Sequence, residues 1–195
     1  MTSEQRWDKR LRISTVGRDA SAADCYRYPY EPTSYEVLRR LADSGHIRPE
    51  DVVVDYGCGK GRVSLFLRHQ LGCRTIGVEY DSAICGQALE NLAASGLSGV
   101  EFRCCRAERF DPDEGTCFYF FNPFSLEILR AVVGKLEESW YRLPRAMKLI
   151  FYYPSDSYRT FLMTCPALTF VEELDCRDLC AGEREVLLMF SLHPD

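Results

Sequence analysis

The sequence predicts an α/β fold, an open and mostly parallel sheet covered by helices on both faces. Three observations predict it. From residue 52 onward, short apolar runs alternate with segments of helical spacing. A glycine-rich turn directly follows the first of those runs, and two β-rich runs lie close together near the C-terminus.

Ahead of the alternation, Tyr35 to Ser44 places Leu38, Leu41 and Ala42 on one helical face, with Gly45 set to end the helix. Val52-Val53-Val54-Asp55 is continuously apolar up to its last residue, as a strand buried on both faces must be. Val63, Phe66, Leu67 and Leu71 then repeat at helical spacing, and Thr75 to Glu79 reads as the second strand. The next helix runs through Ile84, Ala88 and Leu92 to Gly96, and a third strand lies near Val100 to Cys104. Cys117 to Phe121 is too short for a helix and too apolar for an edge, so it reads as a central strand stopped by Asn122-Pro123. Leu126 to Trp140 supplies an amphipathic helix, Met147 to Tyr153 a fifth strand ended by Pro154, and 156–163 a short helix. Leu168 to Leu174 and Glu185 to Leu192, separated by a polar turn with Gly182, close the chain as a strand pair.

With 195 residues, 46% of them hydrophobic, the chain is long enough to build one sizeable core. A formal net charge of -5 argues against a generally basic nucleic-acid binder. The opening residues are charged rather than apolar, and no apolar run approaches the roughly 20 residues that span a bilayer, so a cytoplasmic protein without a membrane partner is expected. Residues 1–24 carry Arg6, Lys9, Arg10, Arg12 and Arg18 without sustained hydrophobic periodicity. They read as a basic N-terminal arm, loosely docked or solvated, ahead of a domain over 25–195.

Ten cysteines appear without a secretory leader, several inside strand-like runs, which points to reduced thiols; Cys58, Cys104, Cys105 and Cys117 read as small core residues. No C-x-x-C pair occurs, Cys176 and Cys180 are four apart, and His46, His69 and His193 are scattered, so no metal is expected.

The most informative stretch is Asp55-Tyr56-Gly57-Cys58-Gly59-Lys60-Gly61, lying between a strand and a helix. Glycines let the backbone turn sharply and approach a ligand, and the helix that follows offers unpaired N–H groups to an anion or carboxylate. The dinucleotide fingerprint requires a further glycine where Arg62 stands, which counts against a NAD-dependent oxidoreductase. Glu79 ends the second strand, twenty-two residues after Gly57, where a carboxylate can accept both hydroxyls of a ribose.

The acidic residue followed by G-x-G-x-G resembles the first motif of class I S-adenosylmethionine-dependent methyltransferases, and the resemblance runs from about Pro29 to the C-terminus. It implies a Rossmann-like sheet of seven strands in the order 3-2-1-4-5-7-6, with S-adenosyl-L-methionine as cofactor. It also implies a cofactor site formed by Asp55, Gly57, Cys58, Gly59, Gly61, Glu79 with its neighbour Tyr80, and Glu108, the last receiving the adenine amino group. Thr33, in the segment Tyr28 to Tyr35, resembles a threonine that contacts the methionine end of the cofactor in nucleic-acid amino-methyltransferases; it or Ser34 also suits a helix N-cap. The tyrosines of that segment suit either a lid or a fastening to the core.

At the end of the fourth strand, Asn122-Pro123-Phe124 resembles the motif by which amino-methyltransferases hold a target amine, though this chain lacks one proline of it. The resemblance implies that oxygens of the motif accept hydrogen bonds from the amine while Phe124 stacks on a planar acceptor; a plain turn with a packed ring is the other reading. The expected activity is methyl transfer to an acceptor the sequence does not name, among RNA, DNA, protein and small molecules, with an amino nitrogen of a base or protein favoured. A non-catalytic cofactor-binding module stands as the alternative.

Overall fold

The computed structural model describes residues 1–17, 30–180 and 182–193. Five strands run parallel: β1 (Val52–Tyr56), β2 (Arg74–Glu79), β3 (Val100–Cys104), β4 (Cys117–Phe121) and β5 (Met147–Tyr152). The closing pair, β6 (Leu168–Asp175) and β7 (Val186–Leu192), inserts β7 antiparallel between β5 and β6. The resulting order, β3-β2-β1-β4-β5-β7-β6, is the one expected. Among the described residues no helix is long and apolar enough to cross a membrane.

Alternation along each strand divides the core in two. On one face Val54, Tyr56, Ile76, Phe118, Phe120, Leu149 and Phe151 pack beneath α5 (Leu126–Arg142) and α6 (Asp156–Thr164). Tyr56, Phe120 and Phe151 stack there across three adjacent strands, with ring centroids 5.1 and 4.6 Å apart. On the other face Val53, Tyr119, Ile150 and Tyr152 meet α2 (Tyr35–Asp43) and α3 (Arg62–Leu71). The helix α4 (Ser82–Ser95) links β2 to β3, and a one-turn helix, Ala107–Arg109, lies in the β3–β4 connection. Strand β6 forms one sheet edge, mostly exposed and interrupted by a bulge between Phe170 and Glu172.

The N-terminal segment differs from the expected arm. Residues Ser3–Leu11 form α1, opened by a capping box between Thr2 and Gln5 and docked on the α2–α3 face. Trp7 stacks on Tyr35 at 5.7 Å and meets Phe66 edge-on at 5.0 Å, while Leu11 and Ile13 are buried. The inward stripe of α1 is partly acidic, with Glu4 and Asp8 placed one turn apart, so apolar periodicity does not reveal it. Arg18 and the rest of the expected arm lie outside the described residues. A second difference concerns Cys104, which is exposed, whereas Cys58 and Cys117 are buried as expected and Cys105 is half-buried. It is the last residue of edge strand β3, paired with Glu79 of β2 on one side only.

Asp8 locks this docking. Its carboxylate accepts hydrogen bonds from the Thr15 backbone N–H (2.7 Å), the Thr15 hydroxyl (2.7 Å) and the Tyr35 hydroxyl (2.6 Å). Removing it strands buried donors, so Asp8→Ala is expected to lower the unfolding free energy by about 2–4 kcal/mol. Urea denaturation measures this, and a loss below about 0.5 kcal/mol would mean that α1 docks through its apolar contacts alone.

Candidate cofactor and active site

Parallel strands bring the ends of β1, β2, β3 and β4 to one edge of the sheet, where the candidate residues gather. The glycine turn leaves β1 and is pinned to β2, because the Gly57 and Cys58 N–H groups both donate to the Val78 carbonyl at 2.8 and 3.1 Å. Gly57 has φ of +76° and Gly59 of +55°, a region unfavourable for residues with a Cβ. Space forbids a side chain there too. A Cβ at Gly57 would lie 2.5 Å from Cβ of Pro123, and one at Gly59 would overlap Cδ2 and Cε2 of Tyr30. Gly61 is the N-cap of α3, with no side-chain cap hydrogen bond. The buried Cys58 thiol contacts the Gly59 carbonyl through Sγ at 3.7 Å, and burial pushes its pKa up.

Two carboxylates converge on this turn. Glu79 accepts the Gly59 N–H through Oε2 and the Asp81 N–H through Oε1, both at 2.9 Å. Burial nevertheless raises its pKa against these backbone hydrogen bonds. Asp55 is 2% exposed, and Ser64 Oγ lies 3.4 Å from its Oδ2. Burial lifts Asp55 to about 7, the Ser64 hydrogen bond opposing and the nearby Glu79 charge adding to the shift. One buried and one half-buried acid, both with raised pKa values, are suited to a cationic or hydroxyl-bearing ligand. Tyr80, beside Glu79, is 43% exposed. The Cys105 N–H donates to the Glu79 carbonyl at 2.9 Å, which holds the start of the β3–β4 connection beside β2. Glu108 follows in the one-turn helix, its carboxylate 3.8 Å from the Arg106 guanidinium.

Asn122 directly follows β4 with φ of +42°, a left-handed conformation that asparagine adopts more readily than most residues. Its Oδ1 is buried and has no hydrogen-bond partner among the described residues. A buried acceptor left open costs free energy and marks a place where a donor fits. Pro123 packs against Gly57, so this acceptor lies close to the glycine turn. Phe124 departs from its expected role. Its ring is 4% exposed and meets Phe120 edge-on at 6.3 Å, while its carbonyl accepts the Tyr158 hydroxyl at 2.6 Å. The core takes the face that was to stack on a planar acceptor. Thr33 is buried, its Oγ1 2.9 Å from the Tyr119 hydroxyl, and Tyr119 is in register with Asp55. Ser34, rather than Thr33, caps α2 through the Glu36 N–H.

Sequence reasoning overlooked several residues. Arg62 is buried, donates to Glu4, to Thr15 Oγ1 (2.7 Å) and to the Thr33 carbonyl (3.0 Å), and lies 4.3 Å from the centre of the Tyr35 ring. Its position right after Gly61 was noted only as a missing glycine, although a charge at the start of a largely buried helix calls for partners. At the end of β5, the Tyr152 hydroxyl donates to the buried Glu185, Phe121 packs on Tyr152 at 4.7 Å, and the Arg184 guanidinium lies 4.6 Å over Tyr153. Phe121 and Tyr152 are in register, and Tyr153 meets Phe121 edge-on at 6.3 Å.

Residues 53–144 match a family model described as a methyltransferase domain. A protein-lysine N-methyltransferase of Saccharolobus islandicus is 32% identical over 72 residues, which are 36% of this chain and 45% of that protein. A histone-lysine N-methyltransferase specific for lysine 79 of histone H3, from Dictyostelium discoideum, is 51% identical over 49 residues, 25% of this chain and 2% of that one. The chain thus spans less than half the length of these relatives. An RNA methyltransferase from Salinibacter ruber, solved with S-adenosyl-L-homocysteine, superposes with a TM-score of 0.63 at 20% identity, covering 85% of this chain and 95% of that one, a likeness of fold. Domain match, strand order and first motif agree in likening this chain to the class I S-adenosylmethionine-dependent methyltransferases.

Proposed function

We propose that this protein is an S-adenosylmethionine-dependent N-methyltransferase acting in the cytoplasm on the amine of a lysine-type protein side chain. The observation that carries this reading is the buried, unpartnered Oδ1 of Asn122, attached to a proline that packs on the glycine turn. An open acceptor for an amine N–H thereby adjoins the turn that would carry the methyl donor.

Asp55, Gly57, Cys58, Gly59, Gly61, Glu79, Tyr80 and Glu108 hold the cofactor, with Thr33 at its methionine end. The raised pKa of Asp55 fits a carboxyl waiting for a cation, and Glu79 has the acceptor oxygens a ribose needs. When bound, S-adenosylmethionine supplies a methyl group on a sulfonium, already a good leaving group. The chain's own task is then to position an unprotonated nitrogen and exclude water. Asn122 accepts one N–H of the amine and leaves the nitrogen lone pair free.

Three observations favour an aliphatic amine over a nucleobase. Phe124 does not offer a stacking face, a cation already rests on Tyr153, which packs on Phe121, the residue before Asn122, and the net charge of -5 suits a basic partner better than a polyanion. The names of the two sequence relatives point the same way. Incubation with labelled cofactor and cell extract, followed by separation of protein, RNA and small molecules, tests the assignment. Label appearing only in RNA would replace the lysine reading with a nucleobase amine, and label appearing nowhere would favour a binding module.

Calorimetry with S-adenosylhomocysteine is expected to give one site per chain, weakened in Glu79→Ala by about 1–3 kcal/mol, the scale of charge-assisted hydrogen bonds. Unchanged affinity would remove Glu79 from the site. Asn122→Ala is expected to keep that affinity within about tenfold, roughly 1.4 kcal/mol, yet to slow methyl transfer by about two orders of magnitude or more. Near-normal turnover would rule out its role in holding the amine. The third expectation concerns pH. A cationic ligand favours ionised Asp55, whose pKa of about 7 in the free protein means that ligand binding at lower pH must first displace a proton. Affinity should therefore rise between pH 6 and pH 8, at most about tenfold per unit, and Asp55→Asn should flatten the profile. An equally steep profile in that variant would assign the titration to another group.

A further inference from the structure

We infer that Tyr30 is a positioning residue for the glycine turn, held in place by the N-terminal segment; the inference rests on the reading of that turn as the cofactor site. Glycine is the most conformationally free residue, and this turn holds three within five positions, Gly57, Gly59 and Gly61. Such a turn keeps one shape only if something outside it applies restraint. Glu79 supplies one restraint, through the Gly59 N–H. Tyr30 supplies another, since its ring occupies the space a Cβ at Gly59 would need and the Lys60 ammonium lies 5.1 Å from the ring centre.

The ring is itself anchored. The Tyr30 hydroxyl donates to the Thr15 carbonyl at 2.6 Å. Thr15 is fully buried, bonded to Asp8 through both its backbone N–H and its hydroxyl, and receives the Arg62 Nε hydrogen bond at 2.7 Å. A parallel tie runs through Asn91 of α4, whose Oδ1 accepts the Ser14 N–H at 2.8 Å and whose Nδ2 donates to the Lys60 carbonyl at 2.9 Å. Residues 14 and 15 and the glycine turn are thus joined twice, once through the Tyr30 ring and once through Asn91. The close approach that makes glycine obligatory at position 59 is made by a protein side chain, so the second glycine of the motif serves Tyr30. Fixing the turn before the ligand arrives removes an ordering cost from binding.

The test uses the full chain and three variants, Tyr30→Ala, Tyr30→Leu and Tyr30→Phe. Hydrogen exchange over residues 57–61 is measured in the unliganded protein, and S-adenosylhomocysteine affinity by calorimetry. Removing the ring, by alanine or by leucine, is expected to speed exchange of the turn about tenfold or more and to weaken binding about as much. Phenylalanine keeps the ring but loses its bond to the Thr15 carbonyl, and is expected to fall between the parent and the alanine variant on both readouts. The leucine variant retains apolar bulk and carries the test should alanine unfold the chain. Exchange and binding at parent levels in the ring-less variants would overturn the inference, and a phenylalanine variant at parent levels would overturn the anchoring by the N-terminal segment. If the parent binds no S-adenosylhomocysteine while exchange follows the ring as stated, the cofactor reading fails and the positioning of the turn stands.

Discussion

Arg62 is the charge on which much of this architecture depends. A guanidinium buried to 2% exposure costs several kcal/mol unless its surroundings compensate for lost hydration. Its position makes that harder, because it opens α3, where the helix dipole is already positive. Compensation is therefore imported. Glu4 and Asp8 come from α1, the Thr15 hydroxyl from the segment after it, the Thr33 carbonyl and the Tyr35 ring from the start of α2. None of these groups lies within the 53–144 methyltransferase segment that contains Arg62. The demand of one buried cation thus ties the N-terminal segment to the helix that follows the glycine turn.

Opposite electrostatics govern the strand ends nearby. Asp55 is buried and Glu79 half-buried, desolvation raises the pKa of both, and the described residues set Arg62 toward α1 rather than toward them. The protein spends its buried positive charge on holding the fold and leaves acidity at the turn. That division explains how a stable scaffold coexists with a pair of carboxyls whose ionisation a ligand can shift.

The centre of the sheet was legible because its strands are buried on both faces and therefore nearly pure in composition, as in Val52 to Val54 and Cys117 to Phe121. The glycine turn and Glu79 were legible because strand ends in parallel sheets fall at one edge whatever the loops do. What escaped depends on contacts between distant segments. Helix α1 escaped because it buries Glu4 and Asp8 against a cation 50 or more residues away, and a polar stripe does not register as a face to be packed. Phe124 escaped because a ring after a strand can turn to the core or to the edge, and only the positions of Phe120 and α6 decide which. Thr33 and Ser34 were interchangeable as caps until the hydroxyl of Tyr119, 86 positions later, claimed one of them.

The bulge in β6 has a consequence for association between chains. This strand leaves Phe170 and Val171 substantially exposed on an open sheet edge, a composition that invites cross-chain strand pairing. The irregularity between Phe170 and Glu172 breaks the two-residue repeat at that point, so a straight incoming strand that matched the ladder on one side of it would be out of register on the other. Glu172 and Glu173, paired with His46 and Arg159, place charge on the same stretch. One supernumerary residue and two carboxylates thus disfavour strand addition at the edge where this sheet ends.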